Sequence, residues 1–216
     1  MGSRRYLVVV ADDFGIGPET DRAILELGAA GLVTSSVLIV NSPHAVAAVA
    51  AWNRAGRPVE LGWHPALTID SPVLPPGRVP SLVDEAGRFR PLGRFLRRAV
   101  LDVLGRRQAK ALDRDGFPGC DWLAGITDPP FAADPRFHTR WLARIPGRTV
   151  ELACHPGYHD PTLIGRDCAG DDEWLWRRVR ELELFRRPGL REAIRAAGFE
   201  LLPAGWLSRE SVRAAA

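Results

Sequence analysis

The amino-acid sequence predicts an α/β fold whose parallel sheet or barrel has about six strands, and three observations carry that reading. Short apolar runs recur along the 216 residues, each bounded by turn residues, as strands buried on both faces are. Apolar residues at helical spacing fill the stretches between them. Polar residues able to do chemistry stand just past several of the runs. In parallel α/β folds that edge collects loops and helix N-termini, and ligands bind there.

Leu7 to Val10 is the first buried run, and it stops at Ala11-Asp12-Asp13-Phe14-Gly15. Pro18 suits the first turn of a helix through Ile24 and Leu27 that ends near Gly31. Ser36 to Val40 reads as a second strand, Pro43 to Arg54 as an Ala-rich helix, and Val59 to Trp63 as a third strand ending at His64. Asp70 to Pro91, rich in Pro and Gly, is a loop with a small hairpin at Val83 to Phe89. A helix over Leu92 to Arg114 follows, then a short strand over Trp122 to Ile126 and a helix over Pro135 to Arg144. Thr149 to Cys154 is another buried strand, ending at His155-Pro156-Gly157. Asp171 or Asp172 caps a long helix whose apolar stripe is Trp174, Leu175, Val179, Leu182 and Phe185. A helix over Gly189 to Ala197 and a strand over Phe199 to Leu202 complete the series, with no repeat or linker dividing it.

Composition narrows the function. Hydrophobic residues make up 46% and charged residues 25%, which excludes a disordered or coiled-coil chain. The 29 basic side chains nearly balance 26 acidic ones, leaving only +3. The arginines are interleaved with acids, as in Arg177-Arg178-Val179-Arg180-Glu181. That pattern reads as a solvated helix face rather than a nucleic-acid stripe, so no nucleic-acid partner is expected. Cys120, Cys154 and Cys168 form no CxxC pair, which argues for a reducing compartment and against a disulfide scaffold. The N-terminus carries no signal-peptide pattern, and no run of about 18 apolar residues is present, so no membrane span is expected and the cytoplasm is the default.

Three polar clusters follow strand ends: Asp12-Asp13, His64 and His155. Adjacent carboxylates repel, and a divalent metal would satisfy one while leaving the other to accept a proton. Neutral imidazole is a common partner of carboxylate oxygen at such metals. The same residues also read as a helix cap at Asp13 with Asp12 in solvent, a strand-end histidine at 64, and a turn histidine at 155. Cys154 reads as a core residue, and His44, His138 and His159 as surface residues.

The stretch Val8-Val9-Val10-Ala11-Asp12-Asp13-Phe14-Gly15 resembles the opening motif of the YdjC-like deacetylases, among them chitooligosaccharide and hopanoid-biosynthesis-associated deacetylases. Gly31-Leu32-Val33-Thr34-Ser35 resembles that family's turn into its second strand, and Gly62-Trp63-His64-Pro65-Ala66-Leu67-Thr68 its GxHxxLT element. Val79-Pro80-Ser81-Leu82-Val83-Asp84 with Gly87-Arg88-Phe89 resembles its substrate-side loop. Glu151 to Tyr158 and Arg180-Glu181-Leu182-Glu183-Leu184 resemble its C-terminal signature.

The resemblance implies a metal-dependent carbohydrate N-deacetylase in a single domain over residues 1–216. It also implies a parallel (β/α) barrel-like fold. Asp13 and His64 would hold a divalent metal, Mg²⁺ or Zn²⁺, with the mixed ligand set leaning toward zinc-like ions. Asp12 would be the general base, His155 the general acid, and an N-acetylated sugar or glycoconjugate the substrate. The family draws its third metal ligand from a His-x-His segment between the long helix and the later strands. Here Arg106-Arg107 runs into Gln108-Ala109-Lys110 without that motif. The implied site therefore has two ligands and weak metal affinity. The implied barrel is incomplete or open, with edges that a homodimer could cover. A sugar-binding relative without activity and a hydrolase of another bond, such as a phosphoester, are the alternatives.

Overall fold

A run of apolar residues long enough to be buried on both faces belongs at the centre of a sheet, and β1 (Arg5–Phe14) is such a strand. Leu7, Val8, Val9, Val10 and Ala11 are all buried. The computed structural model describes residues 4–90, 107–125 and 134–207, apart from 109, 113, 117, 118 and 135. Around β1 stand α1 (Pro18–Ala29), β2 (Ser35–Leu38), α2 (Ala45–Arg54), β3 (Glu60–Trp63) and β4 (Trp122–Gly125). They are followed by α3 (Phe137–Leu142), β5 (Thr149–Cys154), α4 (Glu173–Arg186), α5 (Leu190–Ala196) and β6 (Phe199–Leu201). Much of the helix expected over Leu92 to Arg114, at 92–106, lies outside the described residues. The expected hairpin at Val83 to Phe89 is a single antiparallel bridge between those two residues.

All pairings in the sheet are parallel, in the order β3-β2-β1-β5-β4. β6 pairs with Arg5–Leu7, below the point where β2 joins β1 at Val10. Since β5 runs along Tyr6–Ala11 on one edge of β1, β6 and β2 share the other. The described strands form an open sheet, not a closed barrel.

Leu7, Val9 and Ala11 face the helices. They pack with Ala23, Ile24 and Leu27 of α1, Leu182, Leu184 and Phe185 of α4, and Leu190 and Ile194 of α5. A smaller cluster of Ile16, Ile39, Leu163, Cys168 and Leu175 lies under the loops at the carboxyl edge. Arg166 ties those loops together. It bonds both oxygens of Asp70 at 2.6 Å, donates to Ser42 Oγ at 2.9 Å, and donates to the Ile16 carbonyl.

Three sequence expectations change here. β1 does not stop at Ala11 but runs on through Asp12 and Asp13 to Phe14. The arginine-rich stretch of α4 is not a solvated face: Arg177, Arg178 and Glu181 are buried, with Glu181 fully so. Along α4, Leu175, Leu182 and Phe185 are buried as expected, but Trp174 is 60% exposed. Asp172, rather than Asp171, caps the helix, accepting from the N–H groups of Trp174 and Leu175.

Candidate active site

Adjacent residues of a regular strand point to opposite faces, so Asp12 and Asp13 would ordinarily diverge. The register of β1 against β2 slips between Ala11 and Phe14. Asp12 and Asp13 there stand opposite the single residue Val37, a bulge of one residue. Asp13 takes a left-handed backbone, φ 66°, a conformation Asp tolerates better than most side chains. Strained backbone of this kind gathers at functional sites. With it, both carboxylates meet histidines at the carboxyl edge of the sheet. Asp13 Oδ1 lies 3.1 Å from His64 Nε2, and Asp12 Oδ2 lies 3.5 Å from His155 Nε2. Asp13 is not the cap of α1, whose N-cap is Gly17.

α4 supplies the rest. Arg178 Nη2 donates to Asp13 Oδ2 at 2.7 Å and to Asp167 Oδ2 at 2.9 Å. Glu181 accepts from the His155 backbone N–H at 2.5 Å and from Arg177 Nε at 2.7 Å. Arg177 Nη2 reaches His155 Nδ1 at 3.0 Å. Guanidinium can only donate, so Nδ1 is the acceptor and the ring proton of neutral His155 sits on Nε2, facing Asp12. Asp13, His155, Asp167, Trp174, Arg177 and Arg178 enclose a cavity of about 200 Å³. A larger hollow of about 840 Å³, lined by Trp52, Arg57, Pro58 and Arg191, lies at the amino edge, away from this chemistry.

The surroundings split the titrating groups. Burial, only partly opposed by His64 and reinforced by Asp13, pushes Asp12 up to about 6. Burial also acts on Asp13, but the hydrogen bond with His64 and the charge of Arg178 outweigh it and hold that carboxyl well below the usual range. His64 is raised by its bond to Asp13. Burial, with Arg177 and Arg178 adding to it against Asp13, brings His155 down to about 4. Groups whose surroundings drive them apart in this way are the usual mark of an acid–base site.

Two ligands on one ion, each about 2.1 Å away, stand roughly 3.0–3.4 Å apart in octahedral or tetrahedral geometry. The 3.1 Å between Asp13 and His64 fits that spacing. Among the described residues, no group of three or more His, Cys, Asp or Glu side chains is disposed to hold a metal. Cys154 packs in the core, as expected from its strand. His159 pairs with Asp171 at 3.1 Å and packs near Trp176, and His44 stands at the start of α2, so neither is among the residues brought together here. The side chain of His138 lies outside the described residues.

The sequence reading missed Arg177, Arg178, Asp167 and Glu181. A signal for Arg178 was present: it stands three residues after Leu175 and four before Leu182, inside the apolar stripe. A charge there is buried, and a buried charge needs partners.

A family profile described as "YdjC-like protein" matches residues 6–114. A carbohydrate deacetylase of Enterococcus faecalis is 38% identical over 89 residues, covering 40% of this chain and 34% of that protein. One of Geobacillus stearothermophilus is 28% identical over 92% of this chain and 96% of its own length. One of Listeria monocytogenes is 37% identical over 45% of this chain and 38% of its own. The enterococcal and listerial matches thus span little more than a third of those relatives. Among solved structures, a protein of Enterococcus faecalis V583, provisionally described as acting in cellobiose-phosphate cleavage, superimposes with a TM-score of 0.77. It covers 95% of this chain and 99% of its own at 23% identity, a likeness of fold. No helix among the described residues is long and apolar enough to cross a membrane.

Proposed function

The chain belongs to the YdjC-like protein family, and from that premise we propose that it is a carbohydrate deacetylase, hydrolysing the N-acetyl group of an amino sugar or glycoconjugate. The observation that supports this reading is the meeting of Asp12 with His155 and of Asp13 with His64 at one edge of the sheet. Relatives of both short and nearly full overlap are named carbohydrate deacetylases.

Asp13 and His64 would hold a divalent metal, Zn²⁺ or Mg²⁺. When bound, such an ion polarises the amide carbonyl and lowers the pKa of water. Asp12, poised near neutrality, is the base that takes the proton of the attacking water. His155 starts neutral with its proton on Nε2. It gives that proton to the departing amine in concert with taking the one Asp12 received from water, so no imidazolate forms and the pair ends as it began. Arg177 and Glu181 hold the ring in this orientation, one at Nδ1 and the other at the backbone N–H. Arg178 keeps Asp13 ionised.

The test is acetate release from N-acetylglucosamine and diacetylchitobiose by the full chain with zinc or magnesium in excess. Acetate above the no-enzyme control supports the proposal. Phosphate release from sugar phosphates, without acetate, would place the chain among phosphoester hydrolases instead. A second reading, a sugar-binding relative without turnover, is favoured by the lack of a three-donor group among the described residues. It expects saturable sugar binding and no acetate.

A further inference from the structure

Arg178 decides the charge balance beside Asp13. One of its nitrogens bridges two carboxylates, 2.7 Å from Asp13 and 2.9 Å from Asp167, in the manner of a bound cation. The residue is 5% exposed, and the turn after β5 is built against it. Gly157 N donates to the Arg178 carbonyl at 3.0 Å, and a Cβ at Gly157 would come within 3.2 Å of Arg178 Cβ. The backbone and Cβ of Arg178 are therefore held in place. Its other terminal nitrogen, Nη1, is buried with no hydrogen-bond partner among the described residues. Buried donors placed for structure alone are nearly always paired, so this side chain answers to the two carboxylates.

We propose that Arg178 is the resident cation of the site, competing with a divalent metal for Asp13. The inference rests on the reading of Asp13 and His64 as metal ligands. A fixed positive charge close to an incoming dication opposes it, and both carboxylates are already balanced. With the guanidinium gone, the negative charges of Asp13 and Asp167 are left uncompensated beside His64, and they attract a dication.

Zinc titration of the chelator-treated full chain by isothermal calorimetry tests this. Arg178→Gln is expected to bind zinc at least about tenfold more tightly than the wild type, a change of the size seen when a metal's surroundings are altered. Arg178→Lys, which keeps the charge, stays with the wild type. Removing one member of a buried ion network can unfold a protein, so Arg178→Gln/Asp167→Asn, which removes cation and anion together, is the second variant. It also binds more tightly than the wild type, though less so than Arg178→Gln, and adding His64→Ala abolishes the gain. Equal zinc affinity in the wild type and both glutamine variants, lost on His64→Ala, would overturn the role of Arg178 and leave the metal ligands standing. Zinc binding indifferent to His64 in every background would overturn the ligand assignment, and the inference with it.

Discussion

Asp12 and Asp13 are neighbours in the chain but live in opposite electrostatic surroundings. Asp13 takes a histidine on one oxygen and a buried arginine on the other. Asp12 lies buried beside the neutral imidazole of His155 and the charges of Asp13, Glu151 and Glu181, which His64 opposes only in part. The first is fit to stay an anion and the second to trade a proton. Substitutions should separate them. Asp13→Ala is expected to lose zinc binding and acetate release together. Asp12→Asn is expected to keep zinc binding while turnover drops about 10²-fold or more, the loss typical of a missing general base. Calorimetric zinc titration and an acetate assay on the same preparations check both. Near-normal turnover in Asp12→Asn would remove it from the base role. At this scale the sequence was half legible. The residue types and their strand-end positions marked Asp12, Asp13, His64 and His155, but the left-handed backbone at Asp13 that aims both carboxylates together has no signature in one sequence.

Strands and helices were the most readable level, because each is announced by its own run or spacing. Thr149 to Cys154 and the helix from Pro18 follow directly from theirs. The reading failed where a charged residue occupied a buried position. Arg177, Arg178 and Glu181 have the letters of a solvent face, and only their phase relative to Leu175 and Leu182 betrays them. Asp21 in the first turn of α1 is a parallel case. It is 6% exposed and accepts from the Gly15 N–H at 2.5 Å. Burial dominates over that bond, and Asp160 adds to it, pushing the carboxyl up to about 7. The folded protein thus binds a proton that the unfolded chain, titrating near 3.8, releases. The stabilisation from holding this proton is complete below pH 3.8 and is lost as pH rises toward about 7, at up to about 1.4 kcal/mol per pH unit. Asp21→Asn keeps an acceptor for Gly15 and has no proton to lose. Its urea midpoint should match the wild type near pH 4 and exceed it at pH 8. Parallel pH profiles for the two proteins would show that Asp21 is not protonated in the fold.

Across the whole molecule, the parallel α/β class was legible from alternation alone, whereas the way the sheet is joined was not. A strand run does not say which neighbour it pairs with. β6, the last strand, returns to pair with β1, the first, occupying the length of edge that β2 leaves free. Its anchor is Phe199, 3% exposed, with the Arg5 guanidinium 4.0 Å above its ring. Beyond it the Leu202 N–H donates to the Leu7 carbonyl at 3.0 Å, and Trp206 packs on Tyr6 with ring centroids 4.4 Å apart. Because β1 also carries Asp12 and Asp13 at its far end, anything that loosens this closure loosens the strand that presents them. Phe199→Ala should cost about 3–5 kcal/mol, the range for emptying a buried aromatic site. That is a large part of the roughly 5–15 kcal/mol that holds a domain folded. The neighbouring Glu200 is exposed, and Glu200→Ala should change stability by no more than about 0.5 kcal/mol. Urea unfolding of both variants, followed by circular dichroism, measures the difference. Equal midpoints would mean that the sheet does not depend on its last strand, and that β1 is held in place by β2 and β5 alone.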